Sequence, residues 1–174
     1  ILIKQFKRAI KSEELWTYIG IGIVSTAVIA FNIRDMYSSL GETIRVSSFQ
    51  VSTIITTTGY ATTDFNLWPD LSKTILLLLM FIGSCAGSTA GGFKISRVVL
   101  LFKSVGRELK KALRPRSVSK VRFEGKTVEE STIQSVTIYL AIYIICFVAI
   151  FLLISFESFS FETNFTAAAT CFNN

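Results

Sequence analysis

The chemistry in this chain belongs to main chain more than to side chains. Thr56-Thr57-Thr58-Gly59-Tyr60-Ala61-Thr62-Thr63-Asp64 is a run of hydroxyl residues around one glycine, and it follows an uncharged stretch that begins at Val46. Carbonyl oxygens of such a strand can replace the hydration shell of a potassium ion, and a glycine lets successive carbonyls turn to one side. On this reading Thr57, Thr58, Gly59 and Tyr60 form a selectivity filter, with K+ held by backbone carbonyls near Thr58 and Gly59. The plainer alternative is a polar outer loop after a tilted helix. A second run, Gly83-Ser84-Cys85-Ala86-Gly87-Ser88-Thr89-Ala90-Gly91-Gly92, contains only small residues. Gly83 and Gly87 have the spacing of a close helix-packing face, but adjacent Gly91 and Gly92 each weaken a helix by about 1 kcal/mol relative to Ala. Breaks of this kind at membrane depth line ion paths. We read Gly83, Gly87, Gly91 and Gly92 as marking a flexible loop below the filter that can occlude a pore.

Enzymatic chemistry is poorly provided for. There is no His, so His-based metal sites, Ser-His-Asp triads and Cys-His dyads are excluded within the chain. Cys85, Cys146 and Cys171 lie far apart in apolar or small-residue surroundings and read as packing residues. We expect no enzyme activity and no covalent cofactor.

The elements that position these runs are membrane elements. Of 174 residues, 51% are hydrophobic and 17% charged, against about 25% charged in soluble domains. The mean hydropathy is +0.53. The apolar residues fall in three uncharged blocks, Leu15–Ile33, Thr74–Phe93 and Ser131–Phe156, each near the roughly 20 residues a spanning helix needs. Charge sets their orientation. Residues 1–14 hold four basic and two acidic side chains, and residues 94–126 hold eleven basic and two acidic. Residues 34–73 hold three basic and four acidic, and residues 127–174 none basic and four acidic. Basic loops stay inside, so residues 1–14 and 94–126 are cytoplasmic and the other two segments are outside. This basic segment suits lipid headgroups, not nucleic acid.

Val46–Thr57 then has both flanks outside, so it must enter and return as a half-crossing pore helix, with 58–63 as the filter. The second span, 74–112, reads as a helix broken at Gly83–Gly92. It emerges as a basic amphipathic helix with Lys103, Arg107, Lys110 and Lys111 on one face and ends at Leu113-Arg114-Pro115. Lys94 and Arg97 follow the break and either raise a barrier to cations or snorkel to the interface. Residues 113–130 form a cytoplasmic link with a short hairpin turning at Glu124-Gly125. The unit then begins again, with a span at 131–156 and a pore helix at about 161–170, and the chain stops inside this second pore loop. Cys171, Asn173 and Asn174 would start a second filter. The fold class is all-α transmembrane, built of M1–pore helix–M2 repeats with a re-entrant filter loop, and one and a half such units suggest a fragment of a longer protein.

Three phrases, in this order, resemble the Trk/Ktr potassium-uptake family, in its TrkH/KtrB-type membrane subunit: Thr56–Phe65, Gly83–Lys94 and Phe165–Asn174. The link from Arg114-Pro115-Arg116 through Val121-Arg122-Phe123 to Gly125-Lys126 follows the same pattern. The resemblance implies a four-repeat, potassium-channel-like fold of which this chain is the third repeat and the first half of the fourth. It also implies a homodimeric full-length subunit in a bacterial or archaeal plasma (inner) membrane, crossing it several times. A cytoplasmic nucleotide-binding TrkA/KtrA-type regulatory subunit would control the gate, and K+ would be the transported ion. The expected function is potassium uptake through filter and gating loop. An ion-coupled transporter of another small solute, or a non-conducting interaction subunit, are the alternatives.

Overall fold

The structure is a computed structural model that describes residues 11–114 and 120–173. Residues 1–10 of the lead-in, Pro115 of the helix stop, residues 116–119 of the link and Asn174 lie outside the described residues. Six α-helices and one small hairpin are present among the described residues. Helix α1 is Glu13–Ile33, α2 is Leu40–Ile55, α3 is Asp70–Phe81 and α4 is Ile95–Leu113. The hairpin strands β1 (Arg122–Phe123) and β2 (Lys126–Thr127) pair antiparallel. Glu124 and Gly125 make its turn with φ of 50° and 76°, a two-residue connection with both central residues left-handed. Helix α5 is Glu130–Ile154 and α6 is Phe161–Asn173.

Helices α1 and α5 are long and apolar enough to cross a membrane. A core helix of a soluble protein would pass the same test of length and composition but would be covered. Here Ile23 is 64% exposed on α1, and Ile145 and Leu153 are each 67% exposed on α5. Bare apolar surface on that scale belongs against lipid or further membrane helices.

Helix α2 starts six residues before the uncharged stretch does. Ser39 caps it, its hydroxyl accepting from the Glu42 N–H at 3.2 Å. The Ser-x-x-Glu spacing is an N-terminal signature, and it carries Glu42 and Arg45 into the first two turns. The buried face of α2 is unusual, because Thr43, Ser47, Gln50 and Thr53 face inward beside Val46, Val51 and Ile55, while Leu40, Ile44 and Phe49 are exposed. Ser47 satisfies its hydroxyl on the Thr43 carbonyl at 2.7 Å.

The first unit closes around α2. Ile29 and Ile33 of α1, Val46, Val51 and Ile55 of α2, Trp68, and Leu76 and Leu79 of α3 form one buried cluster. Asn32 donates to Ser72 at 2.9 Å and Trp68 to the Tyr37 hydroxyl at 3.2 Å. These two bonds bring the end of α1 and the start of α3 together. The chain between them therefore enters and leaves at the same end of the bundle. Helix α6 packs on α5 and on α3 of the first unit, where Phe147, Ala168 and Ala169 are buried against Leu77, Phe81 and Phe165. Rings stack along this seam, Phe81 meeting Phe147 edge-on at 5.2 Å and Tyr143 meeting Phe172 at 4.9 Å.

The second span is two helices. Between Phe81 and Ile95 the chain leaves the helix axis, and an isolated bridge between Ile82 and Phe93 closes the base of the excursion. A continuous helix with a small-residue packing face does not describe this segment.

Candidate pore and gate

Helix α2 stops in a Schellman arrangement. The Thr57 N–H donates to the Ile54 carbonyl at 3.0 Å, and the Thr58 N–H to the Thr53 carbonyl at 2.9 Å. This cap asks for a left-handed residue at the first position past the helix, where glycine is usual. Thr57 takes it with φ 54°, a costly conformation for a β-branched residue. Gly59 is left-handed as well, at φ 81°, and its N–H also reaches the Thr53 carbonyl, at 3.4 Å. Two left-handed residues separated by one ordinary residue turn the strand away from simple carbonyl alternation. Ala61 is not left-handed, so the twist is confined to 57–59.

A cavity of about 90 Å³ lies against this turn. Thr53, Ile54, Thr57 and Gly59 line one side, and Met80, Thr170 and Asn173 the other. The C-terminal ends of α2 and α6 thus converge on one space, each presenting the negative end of its dipole. No acidic side chain lines it. The Thr53 hydroxyl, buried at its edge, has no hydrogen-bond partner among the described residues. Such a space suits a cation held by neutral oxygens. Among the described residues no His, Cys, Asp and Glu cluster offers metal-ligand geometry.

The structure brings Thr57, Gly59 and Asn173 to this cavity. Thr58 sits beside it with its hydroxyl 2.8 Å from that of Thr56, and Tyr60 is exposed. Cys171 and Asn173 require a correction, because both lie in the last turn of α6, not in an extended second filter. Asn173 donates to the Ala169 carbonyl at 2.8 Å and accepts from the Tyr143 hydroxyl of α5. That continued helical bonding keeps the segment coiled to residue 173.

Met80 borders the cavity two residues before the second span breaks, so the break begins across the cavity from the turn at Gly59. Residues 82–94 carry no helix. The Phe93 N–H donates to the Phe81 carbonyl at 3.0 Å and the Gly83 N–H to the Phe93 carbonyl at 2.9 Å. At this crossing a Cβ on Gly83 would sit 2.3 Å from the Gly91 carbonyl oxygen, so only glycine fits. Gly87 (φ 86°) turns the loop tip and Gly92 (φ 73°) returns it to the base. Lys94 donates to the Ser88 carbonyl at 2.9 Å and to the Ala90 carbonyl, stapling the loop from inside. Arg97 stacks over the Tyr139 ring at 4.0 Å. Sequence reasoning placed Lys94 and Arg97 as barrier or snorkelling charges; the structure gives both internal partners. It missed Glu14, whose carboxylate accepts from the Ala86 N–H at 2.6 Å and the Ser96 N–H at 3.2 Å.

Two helices long enough to span, a 16-residue helix entering from one end, a turn at its tip and a broken second span define a pore-loop membrane protein. The family model described as the cation transport protein TrkH matches residues 17–174. The chain belongs to that family. It is 33% identical over 173 residues to the Trk system potassium uptake protein TrkG of Escherichia coli K12, covering 98% of this chain and 36% of that protein. It is 32% identical over 168 residues to TrkH of the same strain, covering 94% and 34%. The crystal structure of the potassium transporter TrkH from Vibrio parahaemolyticus superposes with a TM-score of 0.86 at 31% identity, over 92% of this chain and 35% of that one. The chain thus spans about a third of the length of the relatives it matches. It is an all-α membrane fold apart from the small hairpin.

Proposed function

We propose that this chain contributes a filter and a gate to a potassium-uptake pathway. The observation that carries the reading is the meeting of two helix C-termini, from α2 and α6, on a small cavity bounded by Gly59 and free of acidic side chains. Thr57, Thr58, Gly59 and Tyr60 are the filter strand, with K+ on the carbonyls near Thr58 and Gly59. The relatives named as Trk potassium uptake proteins support K+ as the ion. Helices α1 to α4 make the third repeat of the subunit, and α5 with α6 begin the fourth. The loop at 83–92, carrying Gly83, Gly87, Gly91 and Gly92, is the gate. The subunit works as a homodimer in a bacterial or archaeal plasma membrane, and a TrkA/KtrA-type nucleotide-binding subunit acts on it through the basic end of α4.

The test of the filter is Gly59→Ser in the full-length subunit. Its left-handed backbone disfavours a side chain by about 1–2 kcal/mol, and that strain falls on the carbonyls, not on helix packing. K+ uptake should lose its preference over Na+ while membrane abundance stays near wild type. An unchanged K+/Na+ preference removes Gly59 from the filter. The test of the gate is deletion within 84–91, which should raise K+ flux at matched abundance and weaken its dependence on the cytoplasmic subunit.

A further inference from the structure

Glu14 stands out among the acidic residues because it is buried, at 8% exposure. It lies in the first turn of α1, far in sequence from what it touches. One of its oxygens, Oε1, accepts both the Ala86 N–H at 2.6 Å and the Ser96 N–H at 3.2 Å. Ala86 is at the tip of the loop, beside Gly87. Ser96 is the second residue of α4, whose preceding residue, Lys94, provides no side-chain cap. The first turn of a helix leaves N–H groups without partners and carries the positive end of the dipole. Glu14 supplies the missing cap from a different helix, and it sits at the positive end of α1 as well.

We propose that Glu14 is the latch of the 83–92 loop. A single carboxylate oxygen ties the loop tip and the start of α4 to one point on α1, so the loop keeps this conformation only while α4 keeps its position. The coupling follows from the geometry. Moving α4 away from α1 withdraws the Ser96 N–H, and a carboxylate drawn after it abandons the Ala86 N–H. Buried hydrogen bonds to a charged acceptor are stronger than neutral ones, so the latch resists small displacements. The base of the loop is held by the main-chain bonds of Ile82, Gly83 and Phe93 and by the Phe93 ring buried against Tyr139 and Tyr143, and it stays in place when the tip is freed. Glu14 acts through the loop and touches no ion, so it is a positioning residue. The proposal rests on the reading of 83–92 as the gate for its effect on flux, but not for the latch itself.

Native Cys85, half-buried next to Ala86, reports on the loop directly. In the full-length subunit with Cys146 and Cys171 replaced by Ala and any cysteines elsewhere removed, its rate of reaction with a charged methanethiosulfonate reagent is measured beside K+ flux. Glu14→Ala should raise the rate about tenfold, the order expected when bonds to a buried charged acceptor are lost. Glu14→Gln keeps an acceptor without the charge and should restore part of the protection. Glu13→Gln is the control, since Glu13 pairs with Lys103 and makes no bond to the loop, and it should leave the rate at wild type. If Glu14→Ala does not fold, Glu14→Gln alone decides, by a smaller rise above the wild-type rate. A wild-type rate in the folded Glu14 variants overturns the latch, as does an equal rise in Glu13→Gln. Faster reaction with raised flux supports latch and gate together. Faster reaction at unchanged flux keeps the latch and removes the gate.

Discussion

Two breaks in helical structure, after α2 and after α3, meet the same cavity region and are held in different ways. The turn after α2 is self-contained, its bonds running from Thr57, Thr58 and Gly59 back to Ile54 and Thr53, within six residues. The tip of the loop after α3 is held by charged side chains, Glu14 of α1 from outside and Lys94 from within. A turn held by its own main chain can change only by unwinding its helix. A loop tip held by charged side chains can be released by a shift of α4 while the base of the loop stays paired. The first arrangement suits a filter that must stay fixed, and the second a gate that must move.

The largest expected effect tests the base of the movable loop. Gly83→Ala puts a methyl group 2.3 Å from the Gly91 oxygen, against backbone that cannot step aside. Overpacking of this kind costs roughly 3 kcal/mol. Membrane yield and the unfolding temperature in detergent should fall sharply, and a neutral outcome would mean that the base is as soft as the tip. Gly87→Ala should do less. It has open space for the methyl group, and its left-handed backbone costs about 1 kcal/mol. Its unfolding temperature should lie between those of wild type and Gly83→Ala.

A smaller effect is expected at the fixed turn. Thr57→Gly removes the left-handed strain of a β-branched residue, and global stability should rise by up to about 1 kcal/mol. The same change loosens the strand, so K+/Na+ preference should fall while stability rises. A fall in both would show that Thr57 is not strained in the folded state. The smallest effect is at the N-terminal end of α3, where Lys73 and Asp70 pair at 2.9 Å. The pair holds the Asp70 carboxyl below its ordinary value. Its contribution is therefore present above the unfolded value of 3.8 and lost as pH falls through the lower folded one. With Asp70 almost fully exposed, Lys73→Met should leave unfolding near neutral pH unchanged within error. A clear loss there would mean that charge contacts hold the first turn of α3 as they hold the loop.

Much of this was legible in the sequence because membrane helices announce themselves by uncharged length. Leu15–Ile33 and Ser131–Phe156 lie within two residues of α1 and α5 at each end. The glycine run marked the broken span for a simple reason, since ten small residues have neither the propensity nor the apolar surface to stay helical. The start of α2 was displaced because an uncharged window excludes Glu42 and Arg45, whereas the chain uses Ser39 and Glu42 as a cap at the mouth. The end of α6 was displaced because Cys171 and Asn173 resemble filter residues and yet still coil. Strain at Thr57 had no signal, since the sequence does not reveal which residue follows the last helical turn. Glu14 was invisible for a different reason. Its partners are backbone N–H groups 72 and 82 residues away, and an N–H carries no side-chain signature.

The inward-facing hydroxyls of α2 have a consequence for how the protein is made. A segment with Thr43, Ser47, Gln50 and Thr53 on one side and Glu42 and Arg45 near its start is too short and too polar to be released into lipid by itself. It can settle only in a cleft already walled by α1 and α3, so its insertion waits on a helix synthesised after it. Until Asp70–Phe81 emerges, residues 40–55 must remain in water or within the insertion machinery. Weakening α3, for example at buried Leu76 or Leu79, should then leave a subunit whose spans are in place while residues 40–55 lie undocked and open to protease.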